Sequence, residues 1–135
     1  MNAPAEPAVH AAAHEAMRHA YAPYSGFRVG AALVAADGTV FTGCNVENSA
    51  FPAGTCAERG ALAAAIVAGH RSFSRIVIAT EAEAPTPPCG ICRQALTEFA
   101  PSLDIVSITT AGAEAHWSLN DLLPHPFTPQ SLRHP

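Results

Sequence analysis

The sequence predicts an α/β domain built on a mixed sheet with helices on both faces. Two β-prone runs flank Asp37-Gly38, a strong signal for an antiparallel hairpin. Further along, apolar strand-like runs alternate with helix-like runs, which implies right-handed crossovers and parallel pairing. The chain has 135 residues, of which 49% are hydrophobic and 13% charged. That suffices for one core without disulfide staples and argues against disorder.

Each element has a local reason. Residues 1–7 read as a loose Pro-containing tail, leaving 8–135 as a single domain. From Ala8 to Ala20 the Ala content and the absence of Gly and Pro favour a helix. Tyr21-Ala22-Pro23-Tyr24-Ser25-Gly26 breaks it. Val29–Ala36 and Thr39–Asn45 are the hairpin strands, and 46–55 is a loop with Pro52 and Gly54. Cys56–Ala68 reads as a buried helix ended by Gly69. Arg75–Thr80 is a buried strand. Glu81–Pro88 is a loop, and Cys89–Ala100 is a second buried helix stopped by Pro101. Ile105–Thr110 is a strand, Ala113–Trp117 a short edge strand, and Leu119–Leu123 a short helix before a Pro-rich tail.

Composition excludes several functions. There is no Lys; all seven basic residues are Arg, and the formal net charge is −4. No basic run exists to track phosphates, so a nucleic-acid partner is not expected. The longest weakly polar stretch, Gly60 to Gly69, is too short to span a bilayer, so no membrane partner is expected. The N-terminal stretch lacks a basic start followed by a continuous apolar run, so no secretory signal is expected. The expected location is the cytoplasm, where thiols stay reduced.

Chemistry concentrates in the cysteines. Cys44, Cys56, Cys89 and Cys92 are even in number, so two disulfides are one alternative. Cys89 and Cys92 form a C-x-x-C, which alone fits either a redox pair or half of a zinc site. Cys56 and Cys89 each open a predicted helix, where unpaired N–H groups and partial positive charge favour thiolates. Two helix starts facing each other would bring three thiolates onto one metal. Three protein ligands leave a fourth position open, the pattern of a catalytic zinc. Glu58, in the first turn after Cys56, is placed to shuttle protons beside such a site. Taken alone, it reads better as a surface acid favoured by the helix dipole.

Cys56-Ala57-Glu58-Arg59 followed by Pro88-Cys89-Gly90-Ile91-Cys92-Arg93-Gln94 resembles the zinc nucleoside deaminases, most closely the small cytidine deaminases. Three more segments share the resemblance: Tyr21 to Ala32 with its Tyr-Ser-Gly-Phe, Gly43-Cys44-Asn45-Val46-Glu47-Asn48, and Leu122-Leu123-Pro124 with Phe127. The resemblance covers most of the chain. It implies a three-layer α/β/α fold with a mixed five-stranded sheet. It also implies hydrolytic deamination of cytidine and deoxycytidine to uridine and deoxyuridine, with release of ammonia, in pyrimidine salvage.

By the same resemblance, Cys56, Cys89 and Cys92 hold one Zn²⁺ per chain, which makes hydroxide available near neutral pH. Glu58 is the catalytic proton shuttle, serving ring N3, the attacking water and the leaving amino group. Arg59 hydrogen-bonds the ligand thiolates and offsets their excess charge. Asn45 and Glu47 grip the ribose 3′-hydroxyl, and Phe27 packs on the pyrimidine. Phe51 and Phe127 are implied to reach a neighbouring subunit's site in a homotetramer. Each has a plainer reading: a surface ion-pair Arg, a turn Asn, a solvated Glu, a core Phe. Cys44 matches no ligand role and reads as a small buried hydrophobe.

The chain departs from the family where many members read Asn-Ala-Ser-Tyr; it has Asn48-Ser49-Ala50-Phe51. Phe51 keeps the ring and loses the hydroxyl. Competing readings are a deaminase of a blasticidin-type cytosine-nucleoside antibiotic or of modified cytidines, a non-catalytic zinc module, and a nucleic-acid-editing deaminase. Asn45 and Glu47 favour the ordinary nucleoside, Glu58 disfavours the module, and the missing basic surface disfavours the editor.

Overall fold

Alternation along the first strand sets the layers. The computed structural model describes residues 4–133. Helix α1 (Glu6–Arg18) leads into β1 (Val29–Ala35) and β2 (Val40–Cys44), then α2 (Ala57–Val67), β3 (Phe73–Thr80), α3 (Gly90–Thr97), β4 (Asp104–Thr109), β5 (Glu114–Ser118) and α4 (Leu119–Leu122). The strands form one sheet in the order β2-β1-β3-β4-β5. Only β3 and β4 pair in parallel, joined by the α3 crossover; the other pairs are antiparallel.

Ala31 and Leu33 of β1, with Ile76 and Ile78 of β3, pack beneath α2, α3 and α4. Their neighbours Ala32, Val34, Val77 and Ala79 face the other way, against Val9, Ala13 and Met17 of α1. Period-two alternation thus feeds two cores from the same strands. It also explains why β3 reads as a continuous apolar run: both faces are covered.

Helix boundaries differ from expectation by two residues or more at both ends of α1, which stops at Arg18 and not Ala20, and at the end of α3. Helix α1 starts at Glu6, two residues inside the segment read as a tail, because Pro7 sits in its first turn, where its missing N–H costs nothing. Residues 1–3 of that tail lie outside the described residues. Helix α3 ends at Thr97 and not at Ala100. A tight turn follows, in which the Phe99 and Ala100 N–H groups both donate to the Leu96 carbonyl. Gly69 ends α2 as expected. Its φ of +93° lets its N–H reach the Ile66 carbonyl while the His70 N–H reaches that of Ala65, a Schellman closure.

The Ala stripe of α2 faces its own sheet. Ala57, Ala61 and Ala65 are fully buried there. Gly43 of β2 makes this approach possible: a Cβ at that position would lie 2.4 Å from both the Ala57 carbonyl oxygen and the Ala61 nitrogen. The start of α2 is thereby pressed onto the end of β2, which carries the polar residues that follow.

Candidate active site

Two helix starts meet beside the end of the hairpin. Cys56 is the N-cap residue of α2 and Cys89 that of α3, and neither side chain caps its helix. Cys92 follows in the first turn of α3 and is fully buried. The three sulfurs lie within 4.8 Å of one another, with Cys56 Sγ and Cys89 Sγ 3.9 Å apart. All four cysteines are free thiols, and Cys44 stands outside this cluster.

Sulfur atoms this close share protons. Hydrogen bonding from Cys92, then from Arg59 and Cys89, pulls the Cys56 thiol down to about 5 against the effect of burial. Cys92 is pushed the other way by the same bond to Cys56 and by burial. Arg59 Nη2 donates to Cys56 Sγ at 3.7 Å. Soft sulfur donors, helix N-termini and a guanidinium on one sulfur make a set suited to a soft or borderline cation. The three cysteines could hold a metal and leave further coordination positions open.

Glu58 lies in the first turn of α2, 5% exposed. Burial pushes its carboxyl up to about 7, and the charge on Cys56 adds to this. It shares a cavity of about 230 Å³ with Cys56 and Cys89. Phe27, Val29, Ile78 and Pro87 give that cavity apolar walls; Asn45 and Glu47 give it a polar end. A wider groove of about 500 Å³ adjoins it, sharing Ser25, Asn45, Glu47 and Cys56, and carries Arg59 and Phe51 on its walls.

Asn45 and Glu47 reach the same cavity because Val46 between them is strand-like, bridging Tyr21 and Thr55. Both are already engaged by the chain. Asn45 Nδ2 donates to the Phe27 carbonyl and Asn45 Oδ1 accepts from Val29 N–H, each at 2.8 Å. Glu47 accepts from the Tyr24 and Ser25 N–H groups at 2.9 and 3.0 Å and from the Ser25 hydroxyl. Those bonds, Ser25's foremost, hold its carboxyl below the usual range. The hairpin end thus fastens the 24–29 loop that carries Phe27.

The remaining expected residues lie further out. Phe51 is 77% exposed and meets Tyr24 edge-on, with ring centroids 6.3 Å apart. Phe127 is 58% exposed and lines neither cavity. Ser25, Thr86 and Gln94 were assigned no part by the sequence. Ser25 and Gln94 lie within the motifs quoted above, but their partners are distant in sequence. Thr86 sits in a loop with no periodicity to expose it.

A buried carboxyl beside a three-sulfur cluster that could hold a metal, on a three-layer α/β/α frame, suits metal-dependent acid–base chemistry. The comparisons narrow the class. Residues 5–108 match the family model of the cytidine and deoxycytidylate deaminase zinc-binding region. A cytidine deaminase of Sporosarcina psychrophila is 42% identical over 119 residues, 87% of this chain and 88% of that protein. The crystal structure of cytidine deaminase from Burkholderia pseudomallei superposes with a TM-score of 0.88 at 46% identity, covering 92% of this chain and 100% of that one. That of Mycobacterium tuberculosis gives 0.79 at 35% identity, covering 92% and 98%. The chain belongs to the small zinc-dependent cytidine deaminase family.

Proposed function

We propose that Cys56, Cys89 and Cys92 hold one Zn²⁺ per chain and that Glu58 carries the protons of the family's reaction. That reaction is the hydrolytic deamination of cytidine and deoxycytidine: water replaces the 4-amino group, giving uridine or deoxyuridine and ammonia. Bound zinc supplies the Lewis acidity that makes water a nucleophile near neutral pH. Glu58 takes one proton from the attacking water and passes it to ring N3, then takes the second from the new C4 hydroxyl and delivers it to the leaving amino group, so both protons of the water are accounted for. A carboxyl raised to about 7 suits both directions of transfer, since neither form is strongly favoured at neutral pH. Arg59 offsets the excess charge of three thiolates through Cys56.

Phe27 packs on the pyrimidine, against the apolar side of the cavity. Asn45 and Glu47 take the ribose 3′-hydroxyl with the N–H and lone pairs that the loop leaves free. The chain from Glu6 onward acts as one domain. We place the enzyme in the cytoplasm on its four free thiols. No helix among the described residues is long and apolar enough to cross a membrane. The working form is a homotetramer in which Phe51 and Phe127 serve a neighbour's site. Tyr24 and Phe51, both exposed and in edge-to-face contact, support this, since contiguous exposed apolar side chains mark contact surfaces.

The observation that carries the reading is Glu58, a buried carboxyl in one cavity with two of three clustered sulfurs. Glu58→Gln tests it. The variant should bind zinc and unfold like the parent yet lose roughly 10²–10⁴-fold or more in turnover, because Gln accepts no proton. A variant within a few-fold of the parent means that another group moves the protons.

A further inference from the structure

The segment from Leu123 to Thr128 belongs to no helix or strand, and Pro124 and Pro126 within it have no N–H to donate. Among the described residues, 124–127 make two hydrogen bonds, and one side chain makes both. Gln94 Nε2 donates to the Phe127 carbonyl at 2.7 Å, and Gln94 Oε1 accepts from the Phe127 N–H at 3.3 Å. The carboxamide therefore pairs with Phe127 as a neighbouring strand would. The residue before it fixes the start of the same segment. Arg93 donates to the Leu122 carbonyl at 2.9 Å and to the Pro88 carbonyl, just before Cys89, at 2.8 Å.

The ring held this way faces solvent over most of its surface. Phe127 is 58% exposed and contributes to neither cavity beside the sulfurs. Ordering an exposed Phe on a proline-flanked segment costs conformational entropy, and pre-organisation of an anchor returns that cost when a partner receives it.

We infer that Gln94 is a positioning residue: it fixes the backbone of Phe127 so that the ring is presented to the substrate site of a second copy of this chain. The inference rests on the shared-site reading proposed above and adds the device that aims the aromatic. Gln94 touches no substrate. Because it follows Cys92 by two residues in α3, the helix turn that carries a sulfur of one site also aims the closing residue of another.

The test is a cycle on the full-length, zinc-loaded protein: Gln94→Leu, Phe127→Ala and the double variant, with cytidine kinetics, zinc content and sedimentation for each. Gln94→Leu should raise KM about three- to tenfold, the effect of losing one or two hydrogen bonds, with kcat within about twofold. A rise confined to KM is the mark of lost uniform binding. Phe127→Ala should raise KM at least as much. The double variant should match Phe127→Ala alone, because Gln94 acts through that residue. Gln94→Glu, which keeps the acceptor but has no N–H for the Phe127 carbonyl, should also raise KM and serves if Gln94→Leu fails to fold. A parent-like KM in both Gln94 variants beside a raised KM in Phe127→Ala overturns the positioning role. So do single effects that multiply in the double variant. A parent-like KM in Phe127→Ala overturns the shared site itself.

Discussion

At the scale of residues, the sulfur cluster follows from local rules. C-x-x-C across a helix start places Cys89 and Cys92 within one turn, and Cys56 with Glu58 repeats the device on the other helix. Their approach was legible through the resemblance of the two motifs, since helix starts alone do not say which of them face each other. Cys44 was separable for the complementary reason: it lies on a strand, with no helix start of its own. Cys56→Ser should therefore lose most of its zinc under dialysis while Cys44→Ser keeps about one per chain, read by elemental analysis. The opposite result would reassign the ligands. Less legible was the engagement of Asn45 and Glu47 by the loop. Their partners Phe27, Val29, Tyr24 and Ser25 precede them by 16 to 23 residues, and no periodicity links those positions. Sequence reasoning gave these two side chains only a sugar. The structure shows them fastening the loop that carries Phe27.

At the scale of elements, the hairpin and the β3–α3–β4 crossover were readable from Asp37-Gly38 and from apolar runs of strand length. Helix ends were less so. The turn after Thr97 depends on two N–H groups sharing one carbonyl, which composition does not reveal. An Ala stripe such as that of α2 admits close packing either on its own sheet or against another subunit's helix. Gly43 decides for the sheet at Ala57 and Ala61, since only a residue without Cβ admits the helix backbone so closely. Gly43→Ala should destabilise the fold by about 1–3 kcal/mol or more, because the blocking atoms are backbone and cannot rotate away. It should also weaken zinc retention, since α2 must lift at the end that bears Cys56. Urea unfolding and competition with a chelator measure the two effects. Parent-like values in both would mean that the helix is free to shift at no cost.

At the scale of the whole molecule, the fold is a device for bringing three distant segments together. The hairpin end supplies Asn45 and Glu47, α2 supplies Cys56 and Glu58, and α3 supplies Cys89 and Cys92. Two cores on opposite faces of one sheet hold these segments in place. Phe51 lines an open groove beside these segments, and Phe127 is exposed. The most direct measurement of the central claim is ammonia release by the purified protein. The panel would contain cytidine, deoxycytidine, adenosine, cytidine monophosphate and a cytosine-containing oligonucleotide, each assayed before and after zinc is stripped and restored. Each cytidine or deoxycytidine consumed should yield one ammonia and one uridine or deoxyuridine, with turnover lost on stripping and recovered with zinc. A zinc-loaded protein that releases no ammonia from either nucleoside, or one that turns over unchanged after its zinc is gone, would contradict it.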